Sequence, residues 1–216
     1  MDSNKITARI ANLSPRKAAR IVGFAMLISF SLAFLVDDFI LSNLIAPGDT
    51  AALANDIKAN EMLFGIAAAG YLIILTFDAA IALALYVILK PANKNLASLT
   101  SVLRLLYAAI MVIILLALVL QFIDAYSYGT IKLIGYIFFT CHLFVLGYLV
   151  FKSGYIPRIL GVLLIIASCC YVPIFYVNFL VPEALLLIFF VPMVIGELSL
   201  GFWLLLKNAK IPEMKS

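Results

Sequence analysis

Long apolar stretches alternate with short polar breaks along almost the whole chain. A helix needs about 20 mostly apolar residues to cross a hydrocarbon core about 30 Å thick. Six stretches meet that length: Arg20 to Leu41, Met62 to Leu89, Leu96 to Ile123, Ile131 to Phe151, Ile159 to Leu180, and Ala184 to Leu206. Breakers fall between them at Ala46-Pro47-Gly48-Asp49, Lys90-Pro91, Tyr128-Gly129, Ser153-Gly154 with Pro157, and Val181-Pro182, where proline and glycine favour turns. Thr50 is placed to cap a short polar helix leading into the second stretch. Pro173 and Pro192 fall inside or near spans, where a membrane helix tolerates them. The pattern predicts an all-α polytopic membrane protein, a bundle of six transmembrane helices.

Composition agrees with the pattern. Of 216 residues, 66% are hydrophobic and 12% charged, and the mean hydropathy is +1.18. A soluble fold of this size has no surface for so much Leu, Ile, Phe and Val. Membrane lipid is therefore an expected partner. Nucleic acid is not, because no basic run is interleaved with aromatics in a polar setting. The three cysteines, Cys141, Cys169 and Cys170, lie in apolar runs without metal-ligand or disulfide-framework spacing, and read as small packing residues.

Charge placement orients the chain. With the N-terminus in the cytoplasm, Lys5, Arg9, Arg16, Lys17, Arg20, Lys90, Lys94, Lys152, Arg158, Lys207, Lys210 and Lys215 fall inside, and only Lys58 and Lys132 fall outside. The positive-inside rule then puts both termini in the cytoplasm. Residues 1–19 read as a basic cytoplasmic segment, 20–207 as one six-helix transmembrane domain, and 208–216 as a short cytoplasmic tail. The first apolar run is long and lacks a small-x-small cleavage site before Asp37-Asp38, so it reads as a retained helix rather than a signal peptide. Asp37, Asp38, Asp49, Asp56, Glu61, Asp124 and Glu183 make the outer face acidic. Tyr126, Tyr128, Tyr171 and Tyr176 fit an outer aromatic belt.

Four ionisable residues lie deep within the spans: Asp78, Arg104, His142 and Glu197, on the second, third, fourth and sixth helices. Counted from Lys90, Lys94, Lys152 and Lys207 at the rise of an α-helix, they sit roughly 15 to 18 Å from the inner end, in one layer near the midplane. An unpaired charge at a helix centre disfavours insertion by about 3 kcal/mol. These groups must therefore face one another or a wet cavity. Arg104 is the natural hub, because guanidinium can grip a carboxylate with two donors. Thr100, Ser101, Tyr107 and Ala108 share its helix face. Tyr71, Ala82 and Tyr86 lie on or close to the face of Asp78, and Gly201 follows Glu197 by one turn, where a small residue lets helices approach closely. The layer holds one cation and two acids, so one acid or His142 is expected to carry a proton. Asp78, Arg104, His142, Glu197, Tyr107 and Tyr71 are the candidate ligand- or proton-binding residues. One histidine makes a metal site improbable. Serine-nucleophile, phosphate-loop and His-Glu-x-x-His motifs are absent, and no cofactor is expected.

Several segments resemble, in order, those of the bacterial membrane family catalogued as domain of unknown function 4386. They are Leu44-Ile45-Ala46-Pro47-Gly48-Asp49; Leu85 through Lys94 with Leu103-Arg104-Leu105; His142 to Tyr148; Ser153 through Leu163; and Gly196-Glu197-Leu198. The resemblance implies a multi-pass protein of a bacterial inner membrane and implies no reaction. Three functions remain open. The layer could bind a small molecule, lipid or proton, as in a transporter. Asp78, Glu197 or His142 could serve as acid or base on a lipid-soluble substrate. Or the layer could only fix helix packing, in a structural or accessory subunit without a ligand.

Overall fold

The computed structural model describes residues 14–41, 59–120, 122–123, 125–176 and 182–207. Among them are six α-helices: α1 (Pro15–Ala33), α2 (Glu61–Leu89), α3 (Lys94–Val119), α4 (Ala125–Ser153), α5 (Arg158–Phe175) and α6 (Glu183–Leu206). A π-helical segment, Phe34–Leu41, continues α1. All six α-helices include a stretch long and apolar enough to cross a membrane. Residues 1–13 of the expected N-terminal segment, the Thr50 cap, the tail and the charges at Asp49, Asp56, Lys58 and Asp124 lie outside the described residues, as do the side chains of Asp37, Asp38, Tyr126 and Glu183.

Local chemistry explains the ends. Ser14 caps α1 by accepting from the Lys17 amide, with Pro15 at the first helical position. That Ser-Pro pair starts the helix five residues before the apolar run suggests. Asn93 caps α3 by accepting from the Leu96 amide at 3.0 Å. After α4, Gly154 adopts φ 76°, a left-handed conformation that favours glycine. Tyr155 then donates to the Ile88 carbonyl at 2.7 Å and ties this turn to the end of α2; burial pushes its hydroxyl up to about 12, which keeps it a donor.

Two expected boundaries move. Tyr128-Gly129 is not a turn: α4 runs through it, and the connection from α3 lies at 120–124. An isolated glycine costs a helix only about 1 kcal/mol and does not end it. The fifth helix stops at Phe175 rather than Leu180. Pro173 and Pro192 lie inside α5 and α6 as expected.

Each helix packs against its chain neighbours, and α6 closes back onto α1, so the six form a ring. The outside of the ring is apolar. Phe24, Ile66, Ile113, Phe122 and Leu187 are each more than half exposed, an arrangement that suits lipid and not water. Cys141 and Cys169 are exposed on this surface, and of the three cysteines only Cys170 is buried. The packing reading therefore holds for Cys170 alone. The chain is a polytopic α-helical membrane protein.

The two halves of the ring differ. One end carries the start of α1, the α2–α3 and α4–α5 turns, and Lys90, Lys94, Lys152, Arg158 and Lys207; we call it the basic end. Helices touch backbone to backbone in this half. A Cβ on Gly161 would meet the Gly147 carbonyl oxygen and the Phe151 amide nitrogen at 2.6 Å, and one on Gly23 would meet the Gly201 carbonyl oxygen at 2.7 Å. Ile81, Leu85, Leu146, Leu149, Leu200 and Leu204 fill the space between, none exposed by more than 1%. In the opposite half large aromatic side chains face inward and leave a void.

Candidate functional site

The void is a cavity of about 440 Å³ that receives side chains from all six helices. Its upper wall, away from the basic end, includes Phe34, Tyr128, Gly129 and Lys132; its floor is formed by Asp78, Arg104 and Glu197. Nothing closer to the basic end than Asp78 on α2, Phe139 on α4 or Tyr171 on α5 lines it. The cavity thus descends from one end of the bundle to the charged layer and stops there.

Arg104 is 3% exposed and organises the floor. Its Nη2 donates to Asp78 Oδ1 at 2.5 Å and its Nε to the same oxygen at 3.1 Å. The acid partnered by Arg104 is therefore Asp78. Nη1 lies 3.1 Å from His142 Nε2. A guanidinium nitrogen can only donate, so Nε2 holds a lone pair and the ring proton sits on Nδ1. Nδ1 in turn donates to the Thr100 carbonyl at 2.7 Å, while Thr100 Oγ1 lies 2.9 Å from Nδ1 and donates to the His142 carbonyl at 3.1 Å. The imidazole is held neutral with both nitrogens engaged. Among the described residues, His142 does not line the cavity.

Glu197 stands apart from that triad. Its Oε1 accepts from the Tyr171 hydroxyl at 2.6 Å, and it lies within electrostatic reach of Arg104 and Asp78. Glu197 makes no hydrogen bond to His142 among the described residues. Tyr171 supplies the donor instead. The inward polar face of α3 is as expected, with Thr100, Ser101, Arg104, Tyr107 and Ala108 all buried. Ser101 Oγ donates to the Ala82 carbonyl at 2.7 Å, or to that of Ala97 at 2.9 Å. Tyr71 is buried on the cavity wall with its hydroxyl 3.7 Å from Met111 Sδ. Tyr107 packs on Phe139, ring centroids 4.8 Å apart.

The aromatic belt is the clearest correction. Tyr128 and Tyr171 are buried and line the cavity rather than the lipid interface, and half-buried Tyr176 donates to the Leu133 carbonyl at 2.6 Å. Tyr136 stacks on Phe175 at 4.1 Å, and Tyr171 on Phe175 at 5.4 Å. Two cations rest on this wall: Arg104 lies 5.3 Å from the Phe139 ring centre, and Lys132 lies 5.7 and 5.8 Å from those of Tyr136 and Tyr128. Helical phase carried the signal that was missed. Leu160, Leu164, Ala167 and Tyr171 follow at intervals of four, three and four residues along one face of α5, so Tyr171 shares the face of buried leucines. Ser29 had no such marker. It is 7% exposed, lines the cavity, and its hydroxyl has no hydrogen-bond partner among the described residues.

The sequence profile of the family described as Domain of unknown function (DUF4386) matches residues 21–120 and 115–208. The chain belongs to this family. Its matched residues include Asp78, Arg104, His142 and Glu197. An uncharacterized protein of Archaeoglobus fulgidus is 39% identical over 149 residues, covering 68% of this chain and 86% of its own length. No solved structure matches the chain. Family membership brings no reaction with it, so the functional argument rests on the cavity.

Proposed function

We propose that the protein binds a small molecule in this cavity and brings it to the charged layer from one side of the membrane, as a transporter poised in one of its access states. The observation that carries this reading is one-sidedness. A cavity of ligand-binding size, mainly apolar with a few convergent polar groups, reaches intramembrane charges from one end, while the other half of the ring is packed with leucine. A layer that served only to hold helices together would need no such space beside it. An enzyme using Asp78 or Glu197 as acid or base is the weaker reading. A lipid-soluble substrate would call for an opening between helices, and His142 has no free nitrogen for proton transfer.

In this reading residues 20–207 act as one transmembrane domain, the basic end with both termini lies in the cytoplasm, and the cavity faces outward. The family resemblance makes a bacterial inner membrane the proposed location. One labelling experiment addresses side and access together. In a background with Cys141, Cys169 and Cys170 changed to alanine, single variants Ser29→Cys, Leu85→Cys and Asn93→Cys would meet a small membrane-impermeant thiosulfonate carrying a quaternary ammonium. Ser29→Cys is expected to react in intact cells, Leu85→Cys from neither side, and Asn93→Cys only after permeabilisation. Reaction of Ser29→Cys from the cytoplasmic side alone would reverse the orientation. A Ser29→Cys variant unreactive from both sides would sink the cavity reading.

A further inference from the structure

We infer that the ligand is a lipophilic aromatic monocation that binds against Glu197 in exchange for a proton. This rests on the cavity reading above and names the class of molecule that fits. The argument begins from which polar groups of the site are already satisfied. The cationic ones are engaged: every nitrogen of Arg104 faces Asp78 or His142, and Lys132 lies over two tyrosine rings. The acceptors are not. Both hydrogen bonds of Asp78 fall on Oδ1, and the hydrogen bond of Glu197 falls on Oε1. Neither Asp78 Oδ2 nor Glu197 Oε2 accepts a hydrogen bond among the described residues, and the buried Ser29 hydroxyl has no partner there either. Carboxylate oxygens that line a cavity without donors suit a ligand that brings positive charge or N–H groups.

The wall selects the rest of the molecule. Phe139, Tyr136, Tyr171 and Phe175 form a continuous cluster above the floor, with neighbouring ring centroids 4.1 to 6.2 Å apart. Aromatic faces bind organic cations through their quadrupoles, best where water is excluded. The same wall already holds two cations of the protein itself, Arg104 and Lys132. An anion would find the guanidinium committed to Asp78 and His142 and two acids beside it. Lys132 makes the upper end of the cavity positive. It stands seven residues before Phe139, roughly 10 Å up the helix, so the bound cation sits at the floor.

Charge balance then implies exchange. Glu197 accepts from Tyr171 on α5, and the other titratable groups that line the cavity with it are Asp78, Arg104, Tyr71, Tyr107, Tyr128, Tyr136 and, higher, Lys132. No charged side chain of α1 lines the space among the described residues. With Arg104 given to Asp78, a proton neutralises Glu197 in the empty site, and the ligand's charge does so in the filled one. The step is Glu197 carboxylic acid plus cation giving carboxylate–cation pair plus one released proton.

The test uses the full chain in detergent with tetraphenylphosphonium, and with tetraphenylborate as an anion of the same shape. Tetraphenylphosphonium is expected to bind about tenfold more tightly for each unit of rising pH while Glu197 is protonated, and then to level off. About one proton is released per cation bound, read from the dependence of calorimetric heat on buffer. Glu197→Gln is expected to weaken binding about tenfold or more and to abolish the proton release. Tetraphenylborate is expected not to compete. Equal binding of the two ions, pH-independent binding of the cation, or unchanged binding in Glu197→Gln would each overturn the inference. Should Glu197→Gln not fold, ion selectivity and proton release of the parent still decide. If neither ion binds, the cation class falls, while labelling of Ser29→Cys separately decides whether the cavity is accessible.

Discussion

Replacing Arg104 with leucine is expected to destabilise the folded bundle by about 3 to 5 kcal/mol, the usual cost of removing one partner of a buried ion pair. The geometry explains why the loss should be this large. Among the described residues, both hydrogen bonds to Asp78 come from this one side chain, and so does the only donor facing His142 Nε2. Arg104→Leu therefore strands a carboxylate and an imidazole lone pair in a low-dielectric interior. The pair itself need not be strongly stabilising, since desolvation offsets much of the attraction. Hence adding Asp78→Leu to Arg104→Leu is expected to recover part of the loss. Reversible unfolding in mixed micelles would measure both. A single variant as stable as the parent would show that the charged floor is not held together by Arg104.

Gly161→Leu is expected to cost about 3 kcal/mol or more, the upper part of the range for overpacking. The reason is the identity of the atoms in the way. The new Cβ would meet backbone atoms of α4, the Gly147 carbonyl oxygen and the Phe151 amide nitrogen, and a backbone inside a helix cannot rotate aside as a side chain can. The helices would have to separate, undoing the tight crossing that closes the basic half. Gly65→Ala is the matched control: a Cβ there meets nothing within 4 Å, so the change is expected to be neutral or slightly stabilising. Equal stability losses at the two positions, measured by the same unfolding assay, would contradict this account of the packing.

Much of the architecture was legible from hydrophobic length alone, because a bilayer imposes one number on every span. The six helices follow from that constraint, and their errors cluster at ends, where polar caps rather than apolar runs decide. Ser14-Pro15 extends α1 beyond its apolar run. Tyr128-Gly129 misled because a turn-forming residue pair does not by itself end a membrane helix. The deep ionisable residues were equally visible, since lipid makes each of them costly. What the sequence could not order was their partnership. Asp78 and Glu197 are both acids at similar depth, and only the packing of α2 beside α3 gives Arg104 to Asp78. Tyr171 was misplaced for a related reason: tyrosine suits both a lipid interface and a buried carboxylate, and helical phase had to separate the two. The cavity was not legible, because an empty space is a property of how six helices splay.

The central claim is that this space receives a molecule. The most direct measurement is a high-resolution density map of the protein purified from its native membrane and kept in lipid. The account predicts non-protein density between Glu197, Tyr171 and Ser29, in contact with the aromatic wall and absent from the leucine-packed basic half. A map in which the helices close, so that aromatic side chains fill the space down to Arg104 and leave Glu197 sealed against Tyr171, would contradict it.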